Sequence, residues 1–463
     1  MNVTVEDLLG IGQIGALNMS LLKGKKFTQV STDTRQIKPG ALFFALRGQK
    51  VDGHNYVRDA FAKGASCAVV DERAPREELQ NQPVVIVRDT TAAFGELACR
   101  YRLKFSIPVV AIGGSNGKTT TKDMIGTVLK KKYNVLQTQG NYNNHIGVPM
   151  TLFGLNNRHD IAVVEIGTNH FGEVKYLCDI ARPTHALVTN IEHEHLEFFG
   201  SIDGVEREEG DLFRSLDSSG TAFINQDDER IVRQVKGVRK KITYGFSTRG
   251  KFRGTVREYN RNGAALLRIS ARGRKPYEIQ LSVAGRHNAS NALAAAVVGT
   301  TFNVPAKNIQ LALHNFHAAD KRMEILKVGG MTIINDTYNA NADSVIRALS
   351  ALGEMKAGGK KIIVLGDMLE LGSASEAEHR RVGYEVNRMG FEYLLTFGDM
   401  TRHVNDAAGK IAVNLHFEQK NSLAEYALEL IGEGDVVLIK GSRGMKMEDV
   451  VAFLTERGRR PAS

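Results

Sequence analysis

Two short stretches hold most of the residues whose types and spacing could do chemistry. The first is GGSNGKTT (Gly113–Thr120), which follows the apolar run IPVVAI and opens a helical pattern. A glycine turn between a buried strand and a helix offers successive backbone N–H groups to phosphate oxygens, and the helix N-terminus adds positive potential. In such a loop Lys118 reaches the β- and γ-phosphates and the Thr119 hydroxyl binds Mg²⁺, with Gly114, Ser115, Asn116, Gly117 and Thr120 completing the nucleotide cradle. The spacing is G-x-x-G-K-T from Gly114 to Thr119, two residues shorter than the generic phosphate loop. The bland alternative is a glycine turn followed by an exposed lysine. Strand, loop and helix are all present in order, which favours ATP.

The second stretch is NIEHEHLEFF (residues 190–199), with two histidines and three carboxylates in eight positions. It fits a transition-metal site, an acid–base pair or a solvated charged loop. His193 and His195 are two apart and share a face only if a strand continues through them. No cysteine or third ligand is placed to complete a zinc site, and a hard Mg²⁺ ion suits phosphate chemistry better.

These residues need rigid elements behind them. The chain of 463 residues is too long for one ordinary domain. Its 42% hydrophobic and 24% charged residues describe an ordinary soluble globular protein. No apolar run approaches a membrane span and the first residues do not read as a signal peptide, so membrane insertion is not expected. Three widely spaced cysteines argue for a reducing cytoplasm and against a cysteine metal site. The formal charge of +10 is dispersed, and aromatic residues are only 7% with no Trp, so a surface that attracts small polyanions fits at least as well as one that binds nucleic acid, and charge alone does not decide between them.

Three segments differ in texture, and the expected class is α/β. Residues 1–103 hold short strands (41–46, 67–70, 84–87) and a helix over 56–63. Residues 104–318 alternate strand and helix, with strands at 161–166, 186–190 and 221–225, as in a doubly wound parallel sheet. From about 242 to 283 the alternation and the Asn–Gly turn predict an antiparallel β elaboration, followed by an alanine-rich helix over 285–300. Residues 319–463 alternate again, with strands at 331–335, 361–365, 393–397 and 435–439 and helices from Ser344, Glu376, Ser422 and Met447, as in a second Rossmann-like unit. Ligands of such sheets sit at the carboxyl ends of the strands.

The short phosphate loop resembles that of the Mur ligase family, ATP-dependent amide-forming enzymes of peptidoglycan precursor assembly. Other blocks agree in order: TDTR (Thr32–Arg35) with PGALFFALRG and DGH; GNYNNHIGVP (140–149); VVEIGTNHFGE (163–173); and GRHNASNALAA (285–295). Past these, INDTYNANADS (334–344), VLGDMLELG (364–372) and KGSRGMKMEDVV (440–451) resemble the branch that adds D-alanyl-D-alanine to UDP-N-acetylmuramoyl-tripeptide. The resemblance implies three domains, for the UDP end, for ATP and for the incoming dipeptide. It also implies an acyl phosphate, attack by the amine, and a tetrahedral intermediate, in a cytoplasmic enzyme expected to be a monomer. Nearest alternatives are an amino-acid-adding Mur enzyme or a paralogue with another acceptor. A folylpolyglutamate synthase would lack TDTR and DGH, and an inactive scaffold is disfavoured by the retained Lys118, Thr119, Glu165 and His195.

Residue by residue, the resemblance implies catalytic roles for Lys118, Glu165, His195 and Arg322. Thr119, Glu165 and His195 match metal ligands, with His193, Glu192 and Glu197 structural or solvated. Asn288 and Asn291, three apart at a helix start, suit the nucleotide side or a helix cap. Arg322 and Asp336 match groups that reach across the cleft to the γ-phosphate and the ribose, so catalysis implies domain closure. Thr34 and Arg35 match the UDP end, the alternative for Arg35 being a strand-end ion pair; Asn339 and Asn341 match dipeptide-binding positions. Ala342 stands where the family often has proline. Two departures fall near the metal site. Aligning GVEREEGDLF (204–213) places Glu209 where the family carries a carbamylated lysine, so Glu209 is expected to act as a permanent carboxylate ligand or to be a solvated acid in an acidic turn. Glu194 stands where the family has a small residue before the histidine.

Overall fold

A computed structural model describes the chain except Gln49, 75–78, Gln80, 248–249 and 459–463. The fold is mixed α/β and built on three principal sheets. The first has five strands in the order Gln13–Leu17, Val84–Val87, Ala65–Asp71, Ala41–Phe44 and Val30–Ser31, parallel except for Gln13–Leu17. Phe94, on the helix Thr90–Arg102, packs its ring 5.0 Å from Phe44 of this sheet and 5.4 Å from Phe153 of the next unit. One apolar core therefore ties the two units together.

The second sheet has nine strands. Within its parallel part Val109–Gly113 lies between His185–Val188 and Ile161–Glu165, with Val135–Gln137 at one edge and Thr221–Asn225 and Lys240–Gly245 on the other side, all parallel. Val109, Val110, Ala111 and Ile112 are each 0% exposed, as expected of a strand covered by helices on both faces. Burying each of the larger side chains contributes about 1.5–3 kcal/mol, which makes this strand a rigid base for the loop after it. Strand order reverses about this strand, so its carboxyl end opens at a topological switch point.

The antiparallel elaboration is Phe252–Tyr259, Ala264–Ala271 and Tyr277–Ala284. It begins later than the sequence pattern predicts, because residues 240–245 pair in parallel with Thr221–Asn225 and extend the doubly wound part. The third sheet runs Glu324–Val328, Met331–Asp336, Val436–Lys440, Lys361–Gly366, Tyr393–Phe397 and Val413–Phe417, parallel except for its first strand. Among the described residues no helix is long and apolar enough to cross a membrane.

Candidate active site

The loop after Val109–Gly113 turns through Gly114 at φ +112° and Gly117 at φ +80°. Side chains at these positions would be strained, and a Cβ would stand 2.7 Å from the Thr189 nitrogen at Gly114 and 2.9 Å from Asn291 Oδ1 at Gly117. The loop is bound to the one that follows the neighbouring strand. Ser115 N donates to Asn190 O (2.9 Å), Asn116 N to Asn190 Oδ1 (2.9 Å), and Glu192 N to Ser115 Oγ (2.8 Å). Gly114 N donates to Glu209 Oε2 (2.6 Å). The backbone donors expected from Gly114, Ser115 and Asn116 are therefore taken by the protein itself. What faces outward is the first turn of the helix Lys118–Leu129, whose N–H groups have no intrahelical acceptor.

Around Lys118 three carboxylates are buried: Glu165 at 1%, Glu194 at 4% and Glu209 at 0% exposure. Lys118 Nζ lies 3.4 Å from Glu194 Oε2 and donates to the carbonyls of Gly114 and Ser115. Burial works against the lysine's charge, but Glu194, Glu209 and Glu165 outweigh it and hold the ammonium above the usual lysine range. Burial pushes the Glu209 carboxyl up to about 8, against the pull of Lys118. Glu165 Oε1 accepts from Thr119 Oγ1 (3.1 Å) and from Asn143 Nδ2 (2.8 Å). One oxygen on each acid, Glu165 Oε2, Glu194 Oε1 and Glu209 Oε1, is buried with no hydrogen-bond partner.

The third sheet's unit faces this loop across a cavity of about 1110 Å³. Arg322 Nη2 donates to Thr119 Oγ1 (3.2 Å), and its guanidinium lies 3.8 Å from the Tyr338 ring centroid. Asp336 Oδ2 accepts from Lys440 Nζ (2.6 Å) and Oδ1 from Met323 N (3.1 Å). Asn341 caps the helix Ala342–Glu354 and exchanges amide contacts of 3.3 Å with Asn116 of the phosphate loop.

Three stretches match the Mur ligase descriptions: the family's catalytic domain over residues 26–102, the Mur ligase middle domain over 112–299, and the Mur ligase glutamate ligase domain over 321–443. The UDP-N-acetylmuramoyl-tripeptide–D-alanyl-D-alanine ligase of Escherichia coli K12 is 37% identical over 99% of both chains. The chain belongs to the Mur ligase family. The Bacillus subtilis ligase with the same description is 33% identical over 92% of this chain and 93% of its own. A crystal structure of MurF from Acinetobacter baumannii superposes with a TM-score of 0.90 at 29% identity, covering 98% of this chain and 99% of the other.

In this Mur ligase Ser115 to Thr120, Glu165, His195, Asn288, Asn291, Arg322, Asp336, Asn339 and Asn341 all line the one cavity. Gly114 does not line it and serves the turn. Asn288 and Asn291 are not caps: Gly285 is the N-cap, Asn288 Nδ2 donates to Ala284 O (2.7 Å), and Asn291 Nδ2 donates to Asn288 Oδ1 (3.2 Å). Asn339 accepts Lys440 Nζ on its carbonyl (2.9 Å), which leaves its amide at the Arg443 backbone. Arg35 lies apart from the cavity, exposed and paired through both carboxylate oxygens with Asp33, whose carboxyl it holds down at about 2; Thr34 is buried.

The expected four-residue metal set is not gathered at one point. Among the described residues no three His, Cys, Asp or Glu side chains converge to hold a metal ion. His195 is turned away from the acids: at φ +46° it precedes the short helix Leu196–Phe199, and its Nδ1 lies 2.7 Å from Glu370 Oε2. The solvated alternative for Glu209 fails too, since the amphipathic helix Ile202–Arg214 buries Glu206, Glu208 and Glu209 together. A Mg²⁺ ion still fits the donors present, because the hydroxyl of Thr119 and Glu165 Oε2, which accepts no hydrogen bond and lies 3.8 Å from Lys122 Nζ, are hard ligands beside the phosphate loop. Two residues of the site had no sequence signal strong enough to name them. Asn143 sits inside the GNYNNHIGVP block and was identifiable only as part of it, and Arg347 looks like any helix-surface arginine.

Proposed function

We propose that the chain joins D-alanyl-D-alanine to UDP-N-acetylmuramoyl-tripeptide at the expense of ATP. The observation that carries this is the meeting of Arg322 with Thr119 at the mouth of the phosphate loop, in a chain related end to end to D-alanyl-D-alanine-adding ligases. Residues 1–103 hold the UDP end through Thr34 and Arg35, residues 104–318 hold ATP, and residues 319–463 receive the dipeptide at Asn339 and Asn341.

A carboxylate is a poor electrophile and repels a triphosphate, so the site must neutralise two anions before they can react. Lys118 and the first-turn N–H groups of its helix face the β- and γ-phosphates, and Arg322 takes the γ-phosphate from the opposite side. Asn288 and Asn291 line the nucleotide side, and Asp336 reaches the ribose. Thr119 and Glu165 would hold a Mg²⁺ ion, which when bound would supply charge neutralisation to the phosphate oxygens, and Glu209 and His195 would serve a second ion only after His195 leaves Glu370. The substrate carboxylate oxygen bonds to the γ-phosphorus as the bond to ADP breaks. The dipeptide amine then attacks the carbonyl carbon and loses a proton. The tetrahedral species expels inorganic phosphate and leaves the amide. Every group named comes from one chain, so a monomer suffices, and its nucleotide substrates belong to the cytoplasm.

The test is ADP release by the purified protein with each substrate omitted in turn. Release that needs both UDP-N-acetylmuramoyl-tripeptide and D-alanyl-D-alanine is expected. D-Alanyl-D-lactate, L-lysine or diaminopimelate should not replace the dipeptide, and release with L-lysine or diaminopimelate in its place would assign the other acceptor.

A further inference from the structure

Glu192 and His193 belong to neither the phosphate loop nor the buried acid group, yet both are held firmly. Glu192 Oε1 accepts from Arg347 Nη1 at 2.7 Å, and its Oε2 accepts from Arg347 Nη2 and from Asn116 Nδ2 at 3.0 Å. Both oxygens are thus engaged, and three of the carboxylate's acceptor positions are taken by Arg347 and Asn116. Arg347 stands on the helix Ala342–Glu354, whose N-cap is Asn341, the partner of Asn116. Asp343, in the first turn of that helix, accepts from His193 N at 3.0 Å, and its charge is met by Arg381. Two residues on, His195 meets Glu370, and Glu197 N donates to Glu370 O at 3.3 Å.

We infer that Glu192 and Arg347 form a clasp that closes the third unit over the phosphate loop, making both of them positioning residues for phosphoryl transfer. The connection is mechanical. Glu192 and Asn116 belong to the central unit and flank the nucleotide loop. Arg347 and Asn341 are fixed to one rigid helix of the third unit, which also carries Arg322 on its sheet's margin. When the helix docks on Glu192 and Asn116, Arg322 arrives at Thr119. A bidentate guanidinium–carboxylate pair suits this role because its planar fork fixes direction as well as distance. At 24% and 26% side-chain exposure the pair is screened less than an ordinary surface ion pair, and it remains open enough to part when products leave. Asp343 and its partner Arg381 set a second, weaker point of attachment on the same helix, so the docking has a defined orientation.

This inference rests on the ligase function proposed above, and its test reads closure directly, whatever the acceptor proves to be. Spin labels are placed at Lys236→Cys and Glu425→Cys, both exposed and on different units, in a Cys99→Ser background, since Cys67 and Cys178 are buried. Distances are measured by pulsed electron resonance on the full chain with a non-hydrolysable ATP analogue. The Glu192 and Arg347 proteins are expected to lengthen the distance in most molecules when changed to Ala, while the unmodified pair gives the short one. Steady-state kinetics should show kcat down by about tenfold in Glu192→Ala and in Arg347→Ala, with KM for the UDP substrate within about twofold. The double variant should be no slower than either single one, because both remove the same contact. Glu192→Gln, which keeps the shape and the Asn116 bond, should fall between and covers the case of a misfolded Ala variant. Unchanged distances in the variants, or effects that multiply in the double variant, would overturn the clasp. A raised KM for ATP in Arg347→Ala alone would make Arg347 a nucleotide ligand instead, which also overturns it.

Discussion

Arg322 Nη2 and Thr119 Oγ1 lie 3.2 Å apart, joining a loop of the third unit to the first turn of the phosphate-loop helix. Thr119 Oγ1 in turn donates a hydrogen bond to Glu165 Oε1, so a cation, a hydroxyl and a buried carboxylate stand in line at the place where phosphate charge would collect. The guanidinium lies over the Tyr338 ring, 3.8 Å from its centroid, which limits its directions of approach.

Arg322→Ala should therefore lower kcat by about 10²–10³, with a smaller effect on KM for ATP, since the contact matters most when charge moves onto the transferring phosphoryl group. Arg322→Lys keeps the charge but loses the fork and the stacking, and should recover only part of the rate. Initial-rate kinetics check both. Equal losses in kcat and ATP affinity would instead mark a ground-state contact.

Lys118→Met should abolish nucleotide turnover and also destabilise the fold. It removes the cation from three buried carboxylates, and breaking a buried charge group in this way costs roughly 3–5 kcal/mol. Glu209 gives up its proton only near pH 8, and its charge then leans on Lys118, so the loss of melting temperature should be larger at pH 9 than at pH 5.5. Thermal unfolding at the two values measures it.

Glu209 holds its proton more tightly in the folded protein than in the unfolded chain. For such a group the native-state stability is full below the unfolded carboxyl's pKa and is lost as pH rises through the folded value, about 8. Glu209→Gln keeps a neutral side chain that can still accept from Gly114 N. Its stability relative to the natural protein should therefore grow from pH 5 to above pH 8, by roughly 2–4 kcal/mol. Chemical denaturation across that range is the check, and parallel curves would contradict it.

The side chain at position 209 is a glutamate, and its two oxygens need no carbon dioxide to form. Activity after thorough removal of CO₂ should match activity with added bicarbonate. Assays in degassed buffer decide this, and a clear rescue by bicarbonate would show that a lysine elsewhere supplies a carbamate.

How far the sequence could be read depended on range. The phosphate loop was legible because strand, glycine turn and helix are contiguous, and the buried strands declared themselves as unbroken apolar runs such as Val109–Ile112. The edge strand Val413–Phe417 was not, since VNLHF is mostly half-buried and its polar alternation resembles a loop. Residues 240–245 were assigned to the antiparallel part because pairing direction depends on a distant neighbour, Thr221–Asn225. The same limit applied to the site. Glu209 reads as one more acid in a charged turn, and only the packing of its helix under Gly113 and Gly114 buries it. His195 was recognisable, but its engagement by Glu370, 175 positions away, was not. NIEHEHLEFF thus divides its work: Glu194 joins Lys118, while Glu192, His193 and His195 meet the third unit.

The most direct measurement follows oxygen. With ¹⁸O in the terminal carboxylate of UDP-N-acetylmuramoyl-tripeptide, the inorganic phosphate formed during ligation to D-alanyl-D-alanine should carry one ¹⁸O, transferred when the acyl phosphate collapses. Phosphate free of label, with the amide still formed, would contradict activation of the carboxylate at this site.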